Sequence, residues 1–156
     1  MLHTIEFWLP FPPSTNRLWR AFKGGVVISK EYKHWKIAAA DAIIVTQKLG
    51  HSCVLGSHQM NLILSDRFAS NRDGDNRVKG VLDICQSCGL IVDDSICSRS
   101  SVEWQNIDHE CLVKLTGEVA YHSQWEFAEA KARQQAERAR MRQRQADRQS
   151  RALRMR

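Results

Sequence analysis

Asp73-Gly74-Asp75-Asn76, with Lys79 three residues further on, is the stretch of this chain whose residue types could do chemistry. A second acidic pair, Asp93-Asp94, ends the apolar run Leu90-Ile91-Val92. Asp93 follows Asp75 by eighteen residues, room enough for a helix that returns the chain to the same sheet edge. Carboxylates gathered in one place repel each other, and a bound cation relieves that cost. Mg²⁺ suits such a set, because it takes carboxylate oxygens, keeps several waters and shares the phosphate of a substrate. A metal held this way polarises a phosphodiester and makes an attacking water more acidic, and two such ions sit ~3.5–4 Å apart. Lys79, a compact positive charge, suits the negative charge that builds on phosphate in the transition state.

Simpler readings compete for the same residues. Asp-x-Asp-Asn ahead of a helix can serve as an N-cap, with its charge favoured by the positive helix end. Asp-Asp after an apolar run can be an ordinary turn. An EF-hand loop is excluded by the missing ligands and closing Glu. Cys85 and Cys88 form one C-x-x-C among five cysteines (Cys53, Cys85, Cys88, Cys97, Cys111). A zinc site would need a second pair at matching spacing, so buried small thiols are the preferred reading.

The elements that must position these groups follow from periodicity. Ile5, Phe7 and Leu9 alternate with Glu6 and Trp8, a first strand that Pro10, Pro12 and Pro13 end. Gly24-Gly25 reads as a turn into the short strand Val26-Val27-Ile28. Ser29 is the expected N-cap of a helix from Lys30 to about Leu49, with Gly50 beyond its end. Its core face is expected at Trp35, Ala39, Ala42, Ile43 and Thr46, leaving Lys33 and Lys36 for solvent or phosphate. Met60, Leu62 and Leu64 mark a strand, and Val78, Val81, Leu82 and Cys85 a helix closed by Gly89. Two further strands are expected near Ser98–Trp104 and Glu110–Thr116. Strands and helices mixed in this order, with hairpin-like pairs, predict an α+β fold: a mixed β-sheet packed by two helices.

Residues 123–156 form a separate segment, a basic Arg/Gln/Ala-rich tail expected to be helical or partly disordered, after a body spanning 1–122. Ser123 and Glu126 have capping-box spacing. Trp125, Ala132, Ala139, Ala146 and Leu153 recur every seven residues, a stripe too thin for a strong coiled coil. The net charge of the chain is +6, from 23 basic and 17 acidic residues. Residues 125–156 hold 10 basic and 4 acidic residues, also +6, so residues 1–124 balance at 13 against 13. Arg17 to Lys36 nevertheless carries six basic residues against Glu31 alone. A basic strip, an acidic centre and a basic tail fit a polyanionic partner. No apolar run is long enough to span a membrane and the first residues lack a signal-peptide pattern, so a cytoplasmic protein of a bacterial or phage-infected cell is expected.

Taken together the motifs resemble the RusA family of Holliday junction resolvases over most of residues 5–117. The likeness rests on Pro12-Pro13-Ser14-Thr15-Asn16-Arg17, on Ser29-Lys30-Glu31-Tyr32, on Arg72-Asp73-Gly74-Asp75-Asn76 with Lys79 and Asp83, and on Gly89-Leu90-Ile91-Val92-Asp93-Asp94. The resemblance implies a RusA-like nuclease domain and a homodimeric crossover junction endodeoxyribonuclease acting on branched DNA in recombination and repair. It implies that Asp73, Asp75 and Asp94 bind Mg²⁺, with Mn²⁺ as a substitute and Asp93 as an additional candidate. Lys79 matches the active-site lysine of the family. Arg17, Arg20, Arg72, Asn76, Lys33 and Lys36 are the expected DNA-binding residues. The tail lies outside the likeness; it reads first as a solvated charged helix or half-disordered extension, with contact to DNA or a protein partner as the alternative. The alternatives are a non-catalytic nucleic-acid-binding protein, such as a phage-type regulator, and a nuclease of forks and flaps.

Overall fold

The computed structural model describes residues 2–47, 52–68, 73–117, 120–121 and 124–154. Strand β1, His3–Leu9, buries Phe7 and Leu9 and turns Glu6 and Trp8 outward, as its alternation predicts. After a 3-10 turn at Thr15–Arg17, β2 (Trp19–Phe22) and β3 (Gly25–Ile28) pair as an antiparallel hairpin. Phe22 pairs with Gly25, so the loop is Lys23-Gly24, one residue earlier than the Gly-Gly pair suggests. Both loop residues have positive φ, 46° and 80°, as the favoured two-residue turn requires to match strand twist. The β2 strand was not expected from the sequence, because its four residues carry no clear alternation.

Helix α1 runs Lys30–Gln47. Ser29 begins it, its Oγ accepting from the Tyr32 backbone N–H at 3.1 Å. Tyr32, Trp35, Ala39 and Ile43 form the buried face, while Ala42 and Thr46 are only half-buried. Trp35 Nε1 donates to the Pro10 carbonyl at 3.0 Å and ties this helix to the end of β1. The expected stop at Gly50 lies outside the described residues.

The remaining elements are β4 (Cys53–Val54), β5 (His58–Ser65), α2 (Val78–Ser87), β6 (Cys97–Gln105), β7 (Cys111–Gly117), β8 (Ala120–Tyr121) and α3 (Gln124–Arg154). The main sheet has the order β1-β7-β5-β6. β7 pairs antiparallel with β1 and β5, whereas β6 pairs parallel with β5. The fold is thus α+β with a mixed sheet. The two closing strands do not pair with each other, because β7 inserts between β1 and β5 and β6 lies on the other side of β5. A parallel partner needs a crossover, and α2 provides it between β5 and β6.

Met60, Leu62 and Leu64 of β5 join Val81, Ile84 and Cys85 of α2 in one buried cluster with α1, β1 and β7. Truncating one of these large side chains to alanine costs ~2–5 kcal/mol in packed cores generally. Cys85 is fully buried and Cys88 half-buried; burial pushes the Cys85 thiol well above its ordinary pKa, as expected of a small apolar side chain. No helix among the described residues is long and apolar enough to cross a membrane.

Candidate active site

Asp73, Gly74 and the 3-10 turn Asp75–Arg77 lead directly into α2. Gly74 is there because β6 leaves no room for a side chain: a Cβ would lie 2.7 Å from Val102 Cγ1. This close approach sets the two aspartates on either side of a pinned backbone. Neither carboxylate caps a helix. The caps of the turn and of α2 are Gly74 and Arg77, with no side-chain cap hydrogen bond at either. Asp73 instead accepts from Asn76 Nδ2 at 2.6 Å through Oδ2. The Asn76 carbonyl in turn accepts from Thr15 Oγ1, linking this loop to the proline-rich segment after β1. The Asp75 carboxylate is exposed and has no hydrogen bond or ion pair among the described residues, although the Asp75 backbone carbonyl accepts from the Val78 N–H.

At the other end of α2 the chain leaves the helix through a Schellman turn. Leu90 N–H donates to the Cys85 carbonyl at 2.9 Å and Gly89 N–H to the Gln86 carbonyl at 3.2 Å, with Gly89 at φ 76°. Leu90, Ile91 and Val92 then run buried beside β4, where Val54 N–H donates to the Leu90 carbonyl at 2.8 Å. Their burial carries the chain to Asp93 and to the 3-10 turn Asp94–Ile96.

Lys79 joins the two ends. Its Nζ lies 2.6 Å from Asp94 Oδ2 and 2.8 Å from Asp83 Oδ1. The hydrogen bonds to Asp83 and Asp94 hold its pKa well above the ordinary lysine value, and the same contact holds the Asp94 carboxyl below the usual range. Asp94 is also fixed through its backbone N–H, which donates to Gln86 Oε1 at 3.3 Å. Asp83 Oδ2 accepts from Tyr32 Oη at 3.4 Å; burial, with Asp83 beside it, raises the Tyr32 phenol to about 12. Asp83 entered the sequence reading only as part of a motif, although its i, i+4 spacing from Lys79 was a signal for this pair.

Asp93 does a different job from Asp94. Its carboxylate is buried, accepts from Ser95 N–H at 2.8 Å, and pairs with Arg138 of α3 at 2.5 Å. Arg138 also donates to Ser95 Oγ. Nothing local to either residue announces a contact across forty-five positions.

Of the expected DNA contacts, Arg17 is exposed and lines a cavity of about 610 Å³ together with Arg67, Arg77, Phe68 and Asp73. Arg17 also faces Glu31 at 3.8 Å, both well exposed, a pair worth little in water. Arg20 and Lys33 are exposed, and Lys36 lies 5.7 Å above the Tyr32 ring. Arg72 lies outside the described residues. Arg77, not singled out from the sequence, donates to the Pro12 carbonyl and lies over the Phe11 ring at 4.5 Å.

In donor chemistry the aspartates fit a hard divalent ion, and the Lys79 ammonium already stands as a cation between two carboxylates. No group of three or more His, Cys, Asp or Glu side chains is close enough to hold a metal among the described residues. The structure joins Asp94 and Asp83 through Lys79 and leaves Asp73 and Asp75 outside that pair. Comparison with protein-family models and with curated proteins finds no match.

Proposed function

We propose that this protein is a Mg²⁺-dependent, structure-specific endodeoxyribonuclease that resolves four-way DNA junctions by paired nicks. The observation that carries the reading is the ammonium of Lys79 held against Asp94, beside a loop whose acidic side chains are not used for helix capping. Carboxylates spared from capping and an ammonium fixed between Asp83 and Asp94 suit phosphodiester hydrolysis.

In this reading Asp73, Asp75 and Asp94 would hold the ion, with Mn²⁺ as a substitute. What the bound ion supplies is charge on the scissile phosphate and a more acidic attacking water. Lys79 contributes a fixed positive charge toward the phosphate, and Asn76 orients the Asp73 carboxylate. Arg17, Arg20, Lys33, Lys36 and Arg72 bring positive charge to the DNA backbone. A homodimer follows from the chemistry, because two symmetric nicks need two sites related by a two-fold axis.

The test is cleavage of a synthetic four-way junction against linear duplex with Mg²⁺. The junction is nicked far faster, and Asp75→Asn abolishes cutting while keeping or tightening binding, since it removes a negative charge near phosphate. Equal cutting of both DNAs would favour the nuclease of forks and flaps. Binding without cutting would favour the non-catalytic DNA-binding protein.

A further inference from the structure

The tail helix touches the candidate site at one well-made point. Arg138 of α3 reaches Asp93, whose side chain is only 7% exposed, and also donates to Ser95 Oγ. Asp93 Oδ1 therefore accepts twice, from Arg138 and from the Ser95 backbone. These bonds hold the start of the turn Asp94–Ile96, the turn that presents Asp94 to Lys79. Gln134, Arg138, Met141, Arg142 and Gln145 face Ser95 and Ile96 across an open cleft of about 520 Å³. The heptad-spaced Ala132, Ala139 and Ala146 are exposed. The body thus meets a different side of α3 from the one that the sequence pattern marks.

We propose that α3 is a strap on the site and that Arg138 is a positioning residue, acting through Asp93 to hold Asp94 in place. A buried carboxylate keeps its direction only while its hydrogen-bond partners hold it. Without Arg138, Asp93 loses its cation partner and Ser95 Oγ loses a donor, so the turn loosens. The adjacent Asp94 then loses its fixed position at the start of the turn. The inference rests on the nuclease reading, and gives the segment outside the family likeness a role other than carrying charge to DNA.

The test uses the full chain and four variants: Arg138→Ala, Arg138→Lys, Asp93→Asn and the Arg138→Ala/Asp93→Asn double. Mn²⁺ affinity is read by electron paramagnetic resonance without DNA, and junction affinity by fluorescence anisotropy in Ca²⁺. Arg138→Ala and Asp93→Asn are each expected to weaken Mn²⁺ binding about tenfold and to lower kcat by a similar factor. The double variant does no worse than the weaker single, Arg138→Lys recovers part of the loss, and junction affinity stays within about twofold. Weakened junction binding in Arg138→Ala with Mn²⁺ affinity intact would overturn the proposal, marking Arg138 as a phosphate contact. Additive losses in the double variant would overturn it as well. Wild-type protein that neither binds Mn²⁺ nor cuts rejects the nuclease reading. The strap is then judged by amide hydrogen exchange at Ser95 and Cys97, about tenfold faster in Arg138→Ala if Arg138 holds the turn and unchanged if it does not.

Discussion

Lys79 and Asp94 meet at 2.6 Å, a lysine from the first turn of α2 and an aspartate from beyond that helix's far end. The contact closes a loop of chain through the buried segment Leu90–Val92, so the core positions the charge pair. Lys79 is 54% exposed and Asp94 25%, which leaves the pair open to solvent and to a phosphate. As a source of folding stability so exposed a pair is weak.

If the Lys79 ammonium holds the place that a divalent ion would share, Lys79→Met separates binding from catalysis. Mn²⁺ affinity is expected to rise about tenfold, because a competing positive charge is gone. Junction cleavage is expected to fall by about a hundredfold or more, because the phosphate loses its nearest fixed cation. A titration of Mn²⁺ binding and single-turnover cleavage check the two effects; weaker Mn²⁺ binding would show that Lys79 supports the ion's ligands instead.

Gly74 tests whether the Asp73–Asp75 loop must press on β6. Alanine there would place its Cβ 2.7 Å from Val102 Cγ1, and the branched valine has few ways to yield. Gly74→Ala is expected to cost ~1–3 kcal/mol in urea unfolding and to slow cleavage about a hundredfold by shifting the aspartates. Val102→Ala in the same chain opens the space and restores much of both. Wild-type behaviour of Gly74→Ala alone would show that the loop can move without consequence.

His58 sets an acid limit on stability. Its side chain is buried, and desolvation holds its pKa below 6.5 against the opposing pull of the Gly56 backbone, Asp93 and Asp94. The unfolded chain then binds the extra proton first as pH falls. The stability that His58 contributes is complete above about pH 6.5 and is lost as pH drops toward the lower folded-state pKa, at no more than about 1.4 kcal/mol per pH unit. His58→Leu is expected to flatten the fall in urea midpoint between pH 7.5 and about pH 5.5. The same slope in wild type and variant would remove His58 from the account.

What the sequence determined by itself is everything that local pattern encodes. The alternation of β1, the Ser29 cap and buried stripe of α1, and the Gly89 stop of α2 each depend on residues within a turn or two of one another, so composition and spacing suffice. The acidic residues could also be picked out, because their types and clustering are visible without a fold. Strand order is another matter. β7 rather than β6 lies beside β5's second edge, and β6 joins in parallel, because pairing is settled by which surfaces are buried together. The same holds for the site. Only the folded chain decides that Lys79 pairs with Asp83 and Asp94 while Asp73 takes Asn76, and that Asp93 is held by an arginine of the tail. Each of those carboxylates looks alike in sequence; burial, backbone direction and the nearest cation make them different.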